Sequence, residues 1–462
     1  MAALKPNQLE RSLGVTESLS IVINRIIGSG IFRTPASIMV AVGASLPLFY
    51  GVWLLGGIAT LLAALCYAEL VAMMPRSGGP YVFLKAAYPT FVTFLRGWAM
   101  FFVSETGSIA IVAIFFAQTL AAFFPDKASP PVIAAIAIAL VLLHTVLNCY
   151  GIKLGGIIQN IFSVLKLAIL GFIVVIAFTS GFHWHNFSSA PRASSIGGWV
   201  AALGFFKAMR YGFYAYSGWE GATYVAEEIK NPTRNLPLSL FGGISVVMFV
   251  YLCTNLGYVN LLGPAHIAAI YGSRSTVAAE SMQTSLGAIG SSFVLVAILI
   301  SAFGNVNTQI LVKSRTWFAM ARDGLFFRKL SWIHPKFRTP NNSLFAQGAW
   351  ACLLILFASR AGWKSYEAII DYFSFTSSVF NILTFAAVFL LRQQAPNLPR
   401  PYKTWGYPYT LILILLIEAT FLVFTLVTSF IPSLLGIALT STGLLYYKFA
   451  VPAEAKRRTL PS

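Results

Sequence analysis

Residues 21–35 read IVINRIIGSGIFRTP, which places Gly28, Ser29 and Gly30 near the middle of an otherwise apolar run. Two glycines in three residues weaken a helix by about 1 kcal/mol each relative to alanine. In lipid, a freed backbone group is costly unless it faces protein or a water-filled cavity. The stretch therefore predicts a membrane-crossing helix that opens at mid-depth. Glycines that merely let two membrane helices pack closely are the alternative.

A helix opened at this point exposes two kinds of polar backbone group. The N–H groups that begin its second half favour an anion such as a carboxylate, because the helix dipole is positive there. The carbonyl groups that end its first half favour a cation such as an ammonium group. One broken helix thus offers complementary contacts to both charged ends of an amino acid.

Residues 213–237 read FYAYSGWEGATYVAEEIKNPTRNLP and repeat the interruption with Ser217, Gly218 and Gly221, beside Glu220. The first break lies in span 1, which begins the first set of five apolar spans. This second break lies in span 6, which begins the second set. Paired breaks at matching positions of two halves are the best sequence indication of the binding site in secondary transporters. An amino acid zwitterion between both breaks is the resulting hypothesis.

The amino-acid composition indicates that the protein containing these two stretches lies in a membrane. Of 462 residues, 57% are hydrophobic and 10% charged, whereas globular domains carry about 25% charged residues. Because one crossing takes about 20 apolar residues, we predict an all-α protein with twelve transmembrane helices. The spans run over 15–42, 47–74, 86–123, 132–150, 157–180, 199–228, 237–262, 287–320, 343–358, 366–391, 409–429 and 433–450, with short surface helices in 263–286.

The predicted organisation has five parts. A cytoplasmic segment, 1–14, precedes a first five-helix repeat over 15–180 and a second, inverted repeat over 199–391. Two further helices occupy 409–450, and a basic tail covers 451–462. The predicted inner segments hold nineteen Lys and Arg residues and the outer ones five, which places both termini in the cytoplasm of a multi-pass cell-membrane protein. This asymmetry explains most of the net charge of +18 without a nucleic acid partner.

One charge lies inside the fifth span, where IQNIFSVLKLAILG contains Lys166. A lysine at that depth costs about 2.5–3.5 kcal/mol unless it is paired or hydrated. Carbonyl groups of the broken first helix and a hydroxyl such as that of Ser301 are suitable partners. A lysine that reaches the interface with its flexible stem is the alternative.

Several motifs together resemble the amino acid-polyamine-organocation superfamily, and within it the L-type amino acid transporter branch, as a prokaryotic member. They are GSGIF at 28–32, YAEL at 67–70, PRSGGPY at 75–81, NCYGIK at 148–153, YSGW at 216–219, EEIKNPTRNLP at 227–237 and FGNVN at 303–307. The resemblance implies a LeuT-like 5+5 inverted repeat with helices 1 and 6 unwound, plus two additional helices. It also implies transport by alternating access.

The same resemblance assigns roles to site residues. The N–H groups of Gly28, Ser29 and Gly30 would bind the substrate carboxylate. Carbonyl groups near Ile27 and from Tyr214 through Ala215 to Ser217 and Gly218 would take the ammonium group. Tyr214 would be an aromatic gate, with a plain packing role as the alternative. Lys166 would occupy the place of a sodium ion in sodium-coupled relatives, so we expect sodium-independent transport.

Glu220 departs from the family pattern, because related exchangers usually have Asn there. Its carboxylate would couple a proton or attract a cationic substrate, or it would form a structural ion pair with Arg25 or Lys207. Both interpretations stay open. Ser217 occupies a position where some relatives that transport cationic substrates have an acidic residue. The uncharged serine therefore favours a neutral substrate.

Other charges are expected to pair within the protein. We predict structural pairing of Glu69 and Glu105 with arginines on facing helices, namely Arg25, Arg33 and Arg96. The Glu227–Glu228 pair is expected to lock an inner gate against Arg11 or Arg76, unless it belongs to a solvated loop.

Competing functions lack their sequence signatures. No HExxH, GxSxG or clustered carboxylate–His set predicts an enzyme, and no repeated filter or continuous polar lining predicts a channel. No cofactor or metal site is expected. The sequence is compatible with both exchange and proton symport.

Mammalian L-type relatives join a glycoprotein subunit through a cysteine between spans 3 and 4. Residues 124–131 here read FPDKASPP without cysteine, so no disulfide-linked heavy subunit is expected. The partners predicted are an amino acid and the lipid bilayer.

Overall fold

The computed structural model describes residues 9–124, 126, 128–188, 198–273, 275–361 and 366–456. Several predicted end and loop segments therefore lie outside the described residues. They include residues 1–8 and 457–462 and four of the five outer cations, Lys127, Arg192, Arg274 and Lys364. The described part contains no β-strand, and its only strand-like feature is an isolated bridge between Leu13 and Ile229.

Sixteen α-helices make up the described chain, with shorter helical turns between them. They are α1 Val15–Ile26, α2 Gly30–Ala41, α3 Leu46–Met73, α4 Pro80–Ala87, α5 Thr90–Ala99, α6 Glu105–Ala121, α7 Pro130–Cys149, α8 Ile152–Thr179, α9 His185–Ser188, α10 Gly198–Tyr216, α11 Pro232–Ala269, α12 Val277–Arg322, α13 Asn341–Ala361, α14 Tyr366–Gln394, α15 Tyr409–Thr428 and α16 Phe430–Ala450. A π-helix covers Met100–Ser104, and 3-10 helices cover Trp219–Glu228 and Arg328–Ser331.

Length and apolarity allow nine helices of the described part to cross a membrane. The pair α1 and α2, bent by 41° at a short break, makes a tenth crossing if it counts as one span. The predicted all-α membrane fold is confirmed. The division into two inverted repeats and two extra helices stays a prediction.

Two long helices contain breaks next to the predicted surface segment 263–286. Gly263 interrupts α11 with a φ of 72°, and Gly287 interrupts α12 with a φ of 62°. Both values lie in the left-handed region that glycine adopts without steric cost. The short helical pieces between the two breaks match the expected surface helices.

The sequence predicts the third span as one helix over 86–123, but the structure divides this region into several helices. Helix α4 ends at Ala87, and α5 starts at Thr90 after Pro89, because the residue before a proline disfavours helical geometry. The π-helix Met100–Ser104 then separates α5 from α6. Such turns occur often at functional sites, and this one leads directly into the buried Glu105.

The broken segments lie at the centre of the bundle. Helix α1 packs against α8, α11 and α12, while α10 packs against α2 and α3. The residues on either side of both breaks are therefore covered by other helices, which meets the condition for irregular backbone at membrane depth.

Candidate functional site

The first break separates α1, which ends at Ile26, from α2, which starts at Gly30. Ile27 is extended, with φ −72° and ψ 91°. The N–H groups of Gly28, Gly30 and Ile31 donate no hydrogen bond to any described residue. They form the positive end of the α2 dipole, where a carboxylate binds most favourably.

The second break follows α10, which ends at Tyr216. Gly218 has a φ of 92°, a conformation that suits glycine, and the chain continues as the 3-10 helix Trp219–Glu228. Ser217 turns back on Tyr214, because both its N–H and its hydroxyl group donate to the Tyr214 carbonyl, at 3.1 and 2.8 Å. Span 6 is therefore unwound at the predicted place.

The two breaks meet at Gly30 and Ala215. A Cβ atom on Gly30 would lie 2.9 Å from the Cα atom of Ala215, so only glycine permits this approach. Tyr251 of α11 joins both segments, since its hydroxyl group lies 3.1 Å from the Ile26 carbonyl and 3.2 Å from that of Ala215.

A small cavity of about 30 Å³ lies between the breaks. Its walls include Gly28, Ser29, Gly30, Ala215 and Ser217. One water molecule needs about 10–15 Å³, so this space must widen before it can hold an amino acid. The structure thus brings most of the predicted substrate residues to one small cavity.

Tyr214 contributes to the wall of this cavity and to that of a second, larger one. Its hydroxyl group lies 3.5 Å from that of Ser29. The side chain therefore stands between two spaces and reaches across from span 6 to span 1. Its action as a gate stays a prediction.

The carbonyl groups that end α1 are occupied by side chains of other helices. Lys166 is buried, and its ammonium group donates to the carbonyls of Asn24 and Ile27 at 3.0 and 2.7 Å. The Ser301 hydroxyl group also donates to Ile27, at 3.3 Å. Asn305 donates to the Asn24 carbonyl at 3.1 Å. Lys166 and Ser301 thus meet at one carbonyl group of the broken helix.

This arrangement changes the predicted ammonium site. The carbonyl groups of Ile27, Tyr214 and Ala215 already accept hydrogen bonds from the protein. Those of Tyr216 and Ser217 accept none from the described residues. A substrate ammonium group is therefore better placed at the end of α10 than at Ile27.

Glu220 belongs to a buried cluster of four charges, the charge quartet, which consists of Arg25, Glu105, Lys313 and Glu220. The Lys313 ammonium group lies 2.8 Å from the Glu105 carboxylate and 3.3 Å from that of Glu220. Arg25 lies 3.2 Å from Glu105. The formal charges cancel, as buried charges require.

The predicted partners of Glu220, Arg25 and Lys207, are therefore wrong, while Arg25 is a partner of Glu105 as expected. Sequence reasoning missed Lys313. The signal was available, because this lysine directly follows the apolar residues 310–312, ILV.

Comparisons with known proteins agree with this geometry. A family model described as "Amino acid permease" matches residues 13–451. The chain belongs to the amino acid permease family. It is 32% identical to the serine/threonine exchanger SteT of Bacillus subtilis over 446 residues, covering 96% of this chain and 97% of that protein.

Animal proteins are also similar to this permease. The mouse large neutral amino acids transporter small subunit 2 is 31% identical over 456 residues, covering 96% of this chain and 81% of the relative. The human b(0,+)-type amino acid transporter 1 is 29% identical over 429 residues, covering 91% and 83%. The resemblance to the amino acid-polyamine-organocation superfamily is confirmed, and the permease is a transporter rather than an enzyme.

Two ion pairs continue from the charge quartet along span 6 of the permease. Glu228 is fully buried against Arg315, with an N–O distance of 2.8 Å, and Glu227 pairs with Arg322 at 2.8 Å. The prediction that these acids pair with Arg11 or Arg76 is therefore wrong. Both pairs join the 3-10 helix to α12. The two acids lie at the C-terminal end of the 3-10 helix, and the two arginines lie near the C-terminal end of α12.

Glu69 also has partners other than those expected. Arg392 of α14 binds its two carboxylate oxygens at 2.9 and 2.7 Å, and the Thr404 N–H donates at 2.7 Å. Arg25, Arg33 and Arg96 do not bind it. The pairing is structural as predicted, but it connects α3 with the far end of α14.

Proposed function

We propose that this permease is a sodium-independent exchanger of neutral L-amino acids that works by alternating access between the two sides of the membrane. The observation that carries the proposal is the pair of facing breaks. The first presents free N–H groups at Gly28, Gly30 and Ile31, and the second presents free carbonyl groups at Tyr216 and Ser217.

An amino acid zwitterion matches these groups. Its carboxylate accepts hydrogen bonds from the start of α2, and its ammonium group donates to the end of α10. Ser29 and Ala215 line the space between them. Since the present cavity of about 30 Å³ is too small, binding requires that the two spans separate. Tyr214 then closes over the substrate.

Sodium independence follows from Lys166. Its ammonium group supplies a fixed positive charge to the Asn24 and Ile27 carbonyls, with Ser301 alongside. A sodium ion at this place would need the same carbonyl oxygens and would meet a like charge. We therefore assign to Lys166 the part that sodium plays in sodium-coupled relatives.

A neutral substrate follows from the charges near the breaks. Ser217 carries no charge, and the Glu220 carboxylate is paired with Lys313. Neither offers a free anion to a cationic side chain. Two of the relatives are named for serine and threonine or for large neutral amino acids, which supports the same assignment.

We place the permease in the cell membrane with both termini in the cytoplasm, on the basis of the Lys and Arg distribution. We also propose that it works without a disulfide-linked heavy subunit. Its four cysteines, Cys66, Cys149, Cys253 and Cys352, lie within α3, α7, α11 and α13, where a glycoprotein outside the membrane has no access.

The test is uptake of labelled alanine, leucine and arginine into proteoliposomes that contain the purified protein. We expect uptake of alanine or leucine only when the vesicles contain internal amino acid, with no change when choline replaces sodium. Uptake into empty vesicles that follows an imposed pH gradient would instead favour proton symport through Glu220. Uptake of arginine alone, or a need for sodium, would contradict the proposal.

A further inference from the structure

A second cavity, of about 100 Å³, lies on the other side of Tyr214 and Ser217 from the first. Helices α3, α5, α6, α10, α14 and α15 contribute to its walls. Four ionisable side chains with formal charge line it, namely Arg96, Glu105, Glu220 and Glu418. So many charges at membrane depth indicate a functional space rather than packing.

Two of these charges are already neutralised within the protein. Glu105 pairs with Arg25 and Lys313, and Glu220 pairs with Lys313. The charge quartet is balanced, so neither carboxylate needs a ligand. Any charge recognition in the cavity falls to Arg96 and Glu418.

Arg96 is a buried cation with no ion-pair partner among the described residues, although the Glu105 carboxylate lies close enough to feel its charge. Arg96 is 3% exposed, its buried Nε atom has no hydrogen-bond partner, and no ion pair joins it to another described residue. Among the described residues, its guanidinium group makes one cation–π contact, with the Phe380 ring, whose centroid lies 5.4 Å away. A guanidinium group has five N–H donors in a planar fork that matches a carboxylate.

Glu418 is the complementary group. It lies within the apolar helix α15, and its carboxyl group is hydrogen-bonded to Ser378 and Asn381 of α14. No Lys, Arg or His side chain of the described chain lies within ion-pair distance of it. Polar neutral groups therefore orient this carboxyl group, and no described cation pairs with it.

We propose that this cavity is a second binding site for a small amino acid, with the substrate carboxylate on Arg96 and the substrate ammonium group on Glu418. A cation without an ion-pair partner and a carboxyl group without a cation fit a zwitterion better than a ligand of single charge, because each group then gains an oppositely charged partner. The cavity admits about seven to ten water-sized groups at 10–15 Å³ each. Alanine and serine fall within that size.

The proposal rests on the proposed function, and it adds a step to it. Tyr214 and Ser217 form a wall shared by both cavities. A substrate that leaves the first site can enter the second when this wall moves. The permease would then bind two amino acids per chain, one between the breaks and one beyond them.

Equilibrium binding of tritiated L-alanine to the permease in lipid nanodiscs tests this stoichiometry. We expect two molecules per chain for the wild type and one for Arg96→Met and for Glu418→Gln. Arg96→Lys keeps the charge but loses the fork, so we expect two molecules with the weaker affinity lowered about tenfold. Ethylamine and propionate, which each lack one charged group of alanine, should not displace label from the second site.

Arg210→Met is the matched control. Arg210 is a buried arginine of α10 that donates to Ser429 at 2.9 Å and lines neither cavity, so this variant should bind two molecules. Only variants that are monodisperse after purification are compared. If Arg96→Met does not fold, Glu418→Gln alone tests the proposal. One molecule per chain in the wild type would overturn the second site while amino acid exchange stands. Two molecules in both variants would also overturn it. No binding together with no exchange would instead reject the proposed function.

Discussion

The breaks in spans 1 and 6 look alike in sequence but are stabilised differently. At the first break, the last carbonyl groups of α1 accept hydrogen bonds from Lys166, Tyr251, Ser301 and Asn305. At the second, the carbonyl groups of Tyr216 and Ser217 accept none from the described residues. Ion pairs hold the chain after this break instead.

The difference indicates a division of labour. The first break is built into the resting protein, because its carbonyl groups are satisfied with or without substrate. The second leaves acceptors free for a ligand, and its 3-10 helix is tied to α12 through Lys313, Arg315 and Arg322. We therefore expect span 6 to respond to substrate and span 1 to stay open throughout the cycle.

The largest effect is expected for Lys166→Met, which attacks the first break. The substitution removes two charge-assisted hydrogen bonds, each worth about 1.5–3 kcal/mol. We expect exchange of alanine in proteoliposomes to fall by about 100-fold or more. Lys207→Met is the matched control, because Lys207 is exposed on α10 and should leave exchange unchanged. Normal exchange by Lys166→Met would show that the first break needs no fixed charge.

The charge quartet provides the second test, on the side of span 6. Lys313→Met leaves Glu105 with Arg25 alone and Glu220 without a cation, and such a loss costs about 3–5 kcal/mol. Adding Glu220→Gln removes the unpaired carboxylate, so the double variant should be more stable than Lys313→Met. Thermal unfolding in detergent measures both. If the double variant is less stable than the single one, the two residues are not a pair.

Sequence reasoning located both breaks but not what holds them. Glycine pairs within apolar runs reveal a weak point because they act locally, through helix propensity. The partners of Glu69, Glu220 and Glu228 come from segments 85 or more residues away, and several cations are available to each acid. Only the packing of the helices decides that Arg392, Lys313 and Arg315 are the ones in reach.

Lys166 shows where such reasoning succeeds. A lysine in the middle of an apolar helix has few possible acceptors, and the opened end of span 1 supplies carbonyl groups that its own helix does not use. Arg96 and Glu418 show the opposite case. Both are as conspicuous in the sequence, yet their lack of an ion-pair partner among the described residues becomes visible only when the neighbouring side chains are placed.

Gly30→Ala tests the contact between the breaks. The added methyl group would lie 2.9 Å from the Ala215 Cα atom, and overpacking of this kind costs about 1–3 kcal/mol. We expect exchange to fall by about tenfold as spans 1 and 6 move apart. Gly171→Ala, on α8 with open space around it, is the control and should behave as wild type. Equal activity of both variants would mean that the close approach is dispensable.

Tyr251→Phe is the mildest change, and like Gly30→Ala it affects both breaks. Its hydroxyl group has a single proton to share between the Ile26 and Ala215 carbonyls, so its loss costs about 0.5–1.5 kcal/mol. We expect exchange to fall about two- to tenfold. Tyr258→Phe on the same helix removes a buried hydroxyl group that has no described partner and should not reduce exchange. If Tyr251→Phe lowers thermal stability but leaves exchange intact, this residue merely holds the resting fold. If exchange falls at unchanged stability, the bond links the fixed break to the responsive one during transport.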